Sequence, residues 1–249
     1  MKLLRVILSV TGIALAFVLL FGCSSVQRKL LYFPSHTFIA SELTPWTHLD
    51  QTIGYAREVP APKNVWLLLH GNGGQAEHRT YALPSFSNED SVFILEYPGY
   101  GLRSGSPSMK SFNDAAKVAY EILRERFPSS PVCVVGESIG SGPASILTKC
   151  SRPPDKLVLV VPYDELAKVA AEHYPFLPVR LMLHDNWNNI SALANYHGPL
   201  EIFAATYDTV IPIAHAKMLA STKPQAVFHE IPCSHNDWSQ FSAVRFRYP

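Results

Sequence analysis

Cysteine is scarce in this 249-residue chain, with four in all. Cys23 directly follows an N-terminal leader, which leaves Cys133, Cys150 and Cys233, an odd number too sparse for a disulfide framework. Cys133 lies in an apolar run where a buried free thiol is ordinary, whereas export would permit Cys150 to pair with Cys233. No cysteine or histidine spacing resembles a zinc site. Charge excess is missing too. Without the leader's Lys2 and Arg5, 21 basic residues become 19 against 20 acidic ones, so there is no electrostatic case for nucleic acid or another polyanion. Nucleotide-binding loops are also absent: His70-Gly71-Asn72-Gly73-Gly74 lacks a Gly-Lys-Ser/Thr ending, and Gly99-Tyr100-Gly101 lacks the dinucleotide spacing. There is no internal repeat and no low-complexity tract.

The one long apolar run, Val6 to Phe21, is slightly short for a helix of about 20 residues that spans a bilayer. It follows a basic start and precedes Gly22-Cys23-Ser24-Ser25, so residues 1–22 read as an export signal. Leu20-Phe21-Gly22-Cys23 resembles a bacterial lipobox, which implies cleavage and lipidation of Cys23, palmitate included, with an uncleaved membrane anchor as the alternative. Either way the domain is tethered outside the cytoplasm. If the lipobox resemblance holds, Ser24 after the cysteine favours the outer membrane of a double-membraned bacterium, facing the periplasm.

Residues 23–249 fit one α/β domain, because 47% hydrophobic against 16% charged residues supply a large core. Residues 35–62 are expected to hold two short antiparallel strands, Tyr55 to Val59 being the clearer. From Val65 onward short apolar strands alternate with helical segments, which predicts βα units and a mostly parallel sheet flanked by helices. The expected strands are 65–69, 92–97, 132–135, 157–161, 200–204 and 226–231, and the clearest helices are 111–127 and 139–149. Residues 162–198 are longer than a usual crossover and too apolar for a solvated linker, which predicts a small helical insert, either a lid over the site or a plain crossover with a second helix.

Gly136-Glu137-Ser138-Ile139-Gly140 sits between the 132–135 strand and the following helix. A serine on such a strand-turn-helix junction projects its hydroxyl from the sheet edge, with the next N–H, that of Ile139, facing a reacting carbonyl. A lone hydroxyl is a poor nucleophile near neutral pH, so a base, an orienting acid and a second oxyanion donor are required. His235 is the one histidine after the last strand; Asp208 follows the 200–204 strand, with Asp164 as its rival; the backbone at Asn72 supplies the second donor. Asp237 reads as a cap for a short helix starting near Trp238.

Together with Leu31-Tyr32-Phe33-Pro34, Tyr97-Pro98-Gly99-Tyr100-Gly101, Gly105-Ser106-Pro107-Ser108, His173-Tyr174-Pro175 and Ser234-His235-Asn236-Asp237, these motifs make the chain resemble an α/β-hydrolase, and within it the BEM46 group of ABHD12/ABHD13-like serine hydrolases. The resemblance implies hydrolysis of a small acyl ester, thioester or amide, most simply a carboxylic ester, with no metal or cofactor. It carries no particular substrate. Ser234 departs from the glycine usual before the histidine. Two other readings stay open: a serine peptidase or amidase of the same fold, and a non-catalytic lipoprotein that binds an envelope ligand. Cys23→Ala is expected to abolish metabolic incorporation of labelled fatty acid, read by fluorography of the immunoprecipitated protein.

Overall fold

A computed structural model describes residue 12 and residues 24–248. The expected signal over 1–22, residue 12 apart, and the lipidation position Cys23 lie outside the described residues. Among the described residues no helix is long and apolar enough to cross a membrane.

Helix α1 (Ser24–Leu31) leads into β1 (Phe33–Pro34), and β2 (Thr44–His48) with β3 (Gln51–Arg57) forms the expected antiparallel hairpin. Strand β3 stops short of the expected Val59, whose N–H goes instead to Ser91 Oγ at 3.0 Å, ahead of Pro60 and Pro62, which cannot donate. Next come β4 (Val65–Leu69), the short β5 (Gly73–Gly74), a 3-10 segment (Ala76–Ser85) and β6 (Ser91–Leu95). Helix α2 (Met109–Arg126) starts two residues before its expected position because Ser108 caps it: Ser108 Oγ accepts from Ser111 N–H, and Ser111 Oγ accepts from Ser108 N–H, both at 3.0 Å. Strand β7 (Val132–Glu137) is followed by a 3-10 turn (Ser138–Gly140), α3 (Ser141–Ile146) and another 3-10 turn (Leu147–Lys149), so the helix expected over 139–149 is broken into three pieces.

Beyond β8 (Leu157–Val160), residues 162–198 form three short helices: α4 (Leu166–His173), α5 (Val179–Met182) and α6 (Asn189–Leu193). Strand β9 (Leu200–Ala205), α7 (Ile213–Ser221) and β10 (Val227–Ile231) complete the regular elements.

The eight-stranded sheet has the order β2-β3-β6-β4-β7-β8-β9-β10, parallel from β6 to β10, with the hairpin antiparallel at one edge. Every residue of β4, β6, β7 and β8 is buried, as parallel strands covered on both faces require. Alternate side chains supply two cores. Val65, Leu67 and Leu69 pack with Phe112 and its neighbours on α2, whereas Trp66 and Leu68 pack with Phe86, Trp238 and Phe246.

Tyr32 is buried against Phe112 of α2 (ring centroids 5.1 Å apart), with its OH donating to Asp185 Oδ2 (3.0 Å), whereas Leu30 is exposed. Three local readings need correction. Cys133, Cys150 and Cys233 are all free thiols, so no Cys150–Cys233 bond exists. The short helix after His235 is one 3-10 turn (Trp238–Gln240), and what packs behind the histidine is an extended tail that buries Val244 and Phe246. Asp237 heads that turn without capping it: its Oδ1 accepts from Gln240 Nε2 at 3.3 Å. The Phe246 ring meets Phe86 edge-on at 4.9 Å and lies 6.0 Å from Trp238. Phe246→Ala is therefore expected to lower the unfolding free energy by about 3–5 kcal/mol in urea titrations.

Candidate active site

The elements that carry the site all end on one edge of the sheet, the C-terminal ends of the parallel strands. Strand β7 runs into Ser138, β4 into the loop of residues 70–75, β9 into Asp208 and β10 into His235. The turn after β7 is tight. Ser138 adopts φ +54°, a left-handed conformation that costs a non-glycine residue on the order of 1–3 kcal/mol. Glycines on either side make it possible. A Cβ on Gly140 would stand 2.0 Å from Leu69 O, and one on Gly136 would stand 2.6 Å from Ala144 Cβ. The backbone of the turn therefore lies directly against β4 and α3, which holds the strained serine in place.

Three side chains distant in sequence meet here. His235 Nε2 is 3.0 Å from Ser138 Oγ, and His235 Nδ1 is 2.6 Å from Asp208 Oδ2. The carboxylate beside Nδ1 places the imidazole proton there, which leaves Nε2 to accept from the serine hydroxyl. Asp208 does not cap α7, which begins after Pro212. Its second oxygen, Oδ1, accepts from Val210 N–H (2.8 Å) and Ile211 N–H (2.7 Å), which fixes the carboxylate in the loop. All three residues are largely buried, Ser138 at 8% and His235 at 9% exposure. The rival acid, Asp164, belongs to a separate pair. Its Oδ1 lies 2.7 Å from His215 Nδ1 and its Oδ2 accepts from Lys168 Nζ at 2.6 Å.

The two residues whose N–H groups are expected to hold an oxyanion, Ile139 and Asn72, lie on the two segments beside Ser138. Ile139 is the second residue of the 3-10 turn, so its N–H is among the first-turn donors without an acceptor inside the helix. On the other side, Gly71 N–H is taken by Glu137 Oε2 at 3.1 Å, which leaves the Asn72 N–H as the next along the loop. A Cβ on Gly71 would stand 3.6 Å from Ser138 Cβ, so this loop flanks the serine directly. The Asn72 side chain is used elsewhere: Nδ2 donates to Leu31 O (2.6 Å), and Oδ1 accepts from Tyr100 OH (2.9 Å) and Phe33 N–H (3.4 Å). It ties the segment after α1 to the loop.

Glu137 is the functional neighbour that sequence reasoning missed. Its buried carboxylate accepts from Gly71 N–H, from Tyr81 OH (2.8 Å) and from Trp238 Nε1–H (3.1 Å). One side chain thus joins the serine turn, the loop after β4 and the segment behind His235. Burial pushes its pKa up, but the nearby Arg79 charge and these three donors outweigh burial and hold it below the usual carboxylate range. Arg79, itself buried, donates to Gly71 O (3.2 Å) and to Gly73 O, bracing the same loop from beneath. The only signal in the sequence is an acid at the end of an all-apolar strand.

Because the folded-state pKa of Glu137 is depressed, its contribution is complete above the unfolded value of about 4.3 and is lost as pH falls through the folded value. Glu137→Gln leaves Arg79 partly uncompensated and is expected to cost about 3 kcal/mol at pH 7. The gap between variant and parent should narrow below about pH 4, as measured by denaturant titration across pH.

No family model matches the chain. An uncharacterized protein of Mycobacterium tuberculosis is 31% identical over 230 residues, 86% of this chain and 82% of that protein. Lysophosphatidylserine lipase ABHD12 of Danio rerio is 29% identical over 198 residues, 69% of this chain but 50% of that protein, so the chain spans half the length of that relative. Among solved structures, a Pyrococcus furiosus esterase superposes with a TM-score of 0.63 at 15% identity, over 84% of this chain and 95% of that one, which speaks for the fold alone. With that sheet order, that strand-turn-helix serine and these relatives, the chain has the α/β-hydrolase fold and has ABHD12 among its homologues.

Proposed function

We propose that this protein is a serine hydrolase that cleaves carboxylic esters through an acyl-enzyme, with Ser138 as nucleophile, His235 as base and acid, and Asp208 as the orienting acid. The observation that carries the reading is the continuous chain from Ser138 Oγ to His235 Nε2 (3.0 Å) and from His235 Nδ1 to Asp208 Oδ2 (2.6 Å) on a serine held at positive φ. In this mechanism His235 Nε2 takes the hydroxyl proton as Oγ bonds to the acyl carbon, and Asp208 steadies the imidazolium. The carbonyl oxygen becomes an oxyanion held by the N–H groups of Ile139 and Asn72. Its collapse breaks the bond to the leaving oxygen, which receives the proton from Nε2. Water, deprotonated by the same nitrogen, then releases the acid and restores the serine. Each oxyanion donor is worth roughly a hundredfold to a thousandfold in rate, which is why the bracing of the 70–75 loop matters.

The proposal extends to location: Cys23 carries the lipid that fastens the domain to a membrane outside the cytoplasm. A relative named as a lysophosphatidylserine lipase favours an ester of lipid character over a peptide. Ser138→Ala is expected to lower turnover of short p-nitrophenyl esters by roughly four to six orders of magnitude and to abolish labelling by a fluorophosphonate probe, with the unfolding midpoint retained. Full activity in that variant would overturn the mechanism.

A further inference from the structure

Bulky apolar side chains left in water are unevenly distributed over this domain. The four most exposed among the described residues are Phe176 (98%), Phe38 (84%), Leu49 (82%) and Leu102 (79%). They come from four separate segments, and all four segments lie on the sheet edge that carries Ser138. Leu49 is in the turn before β3, and β3 runs antiparallel to β6 with Gly54 opposite Leu95, so this turn lies beside the end of β6. Leu102 is in the loop that follows β6. Phe38 is in the segment laid along the loop after β4, held by Ser35 N–H to Gly74 O (2.9 Å) and by Gln75 Nε2 to Thr37 O (2.9 Å). Phe176 follows α4, where the His173 ring nitrogen Nε2 bonds Val210 O (2.8 Å) in the loop that holds Asp208. The exposed apolar residues elsewhere, Val118 on α2, Met218 on α7 and Val227 at the start of β10, are only about half exposed and stand singly. Scattered residues of that kind are normal, whereas a concentration on one edge marks a contact surface.

The lipid attachment proposed above at Cys23 supplies the partner that this surface would meet. Helix α1 starts at Ser24, directly after Cys23, and ends at Leu31, whose carbonyl is bonded by Asn72 of the loop flanking Ser138. Eight helical residues rise about 12 Å, so α1 begins about one helix length from Leu31, whose carbonyl is held by the loop flanking Ser138. The apolar run Val6 to Phe21 belongs to the same end of the chain, so attachment through the uncleaved segment would bring the same edge to the membrane.

We propose that this edge is a bilayer-docking face: Phe38, Leu49, Leu102 and Phe176 enter the interfacial region of the membrane that holds the tether, and Ser138 receives ester lipid from that leaflet. The docking half rests on side-chain placement and on the attachment proposed at Cys23; the substrate half rests on the serine hydrolase reading above. Aromatic and aliphatic side chains on a polar frame insert to the headgroup and acyl boundary without spanning it.

The test uses the full chain reconstituted in phosphatidylcholine and phosphatidylglycerol vesicles, with either plain or brominated acyl chains. Phe38→Trp and Phe176→Trp place reporters on the face, and Val118→Trp and Met218→Trp place them away from it; emission from the native tryptophans is subtracted using the unsubstituted chain. Reporters at 38 and 176 should be quenched roughly twofold by brominated lipid, and those at 118 and 218 should be unaffected. Equal quenching at all four positions, or none at 38 and 176, overturns the docking face. A concentration-dependent dimer cross-linked through this edge, with no quenching, would assign it to a second copy of the chain instead. In a second arm, Leu49→Ser combined with Leu102→Ser should lower the ratio of vesicle-ester to soluble-ester hydrolysis roughly tenfold; an unchanged ratio counts against the proposal. If the unsubstituted chain cleaves neither ester, the hydrolase reading fails, and the quenching result still decides the docking face.

Discussion

Everything at the mouth of this protein depends on one buried carboxylate. Glu137 lies one residue before the serine and bonds to a backbone amide of the loop after β4, to a tyrosine and to the indole of the segment behind His235. These partners come from three separated segments of the chain, and two of them, Tyr81 and Trp238, also meet edge-on with ring centroids 5.8 Å apart. A buried carboxylate without partners would be strongly destabilising; satisfied by three donors and a nearby guanidinium, it is a rigid junction. Arg79 has a matching role from below, where its bonds to the carbonyls of Gly71 and Gly73 keep that loop from collapsing onto the serine. The distances between hydroxyl, imidazole and backbone donors are thus a property of the polar layer under the site, more than of the three residues that would do the chemistry.

The positive φ of Ser138 follows from the same logic. A left-handed serine is unfavourable alone and persists because its surroundings leave no alternative. Leu69 O and Gly140 are so close that the turn cannot widen, and Gly136 lets α3 rest against β7. Strain at the serine is balanced by close packing of two neighbouring backbones.

Most of the architecture was legible because it is written in period and punctuation. Buried parallel strands read as short runs such as Val65–Leu69 and Leu157–Val160, and the order Ser138, Asp208, His235 followed from the ends of those strands. What was not legible depends on partners far away in sequence. Nothing near Glu137 shows that its carboxylate will meet Trp238, and nothing near Asp164 shows that it will meet His215 rather than His235. In the segment after Ser138, Gly140, Gly142 and Pro143 favour a helix that starts near residue 141 rather than 139, while the close approach of Gly140 to Leu69 O depends on β4. The tail carrying Phe246 has too few residues to show a period, yet it fills the core behind the histidine.

Asn72 has two unrelated tasks: its backbone borders the serine, and its side chain grips the carbonyl of Leu31 and the amide of Phe33. The entry of the chain into the domain and the loop beside Ser138 are therefore mechanically linked. A cut between residues 31 and 33 would sever α1 from the rest of the chain and, in the same event, release one of the clamps on the loop beside Ser138.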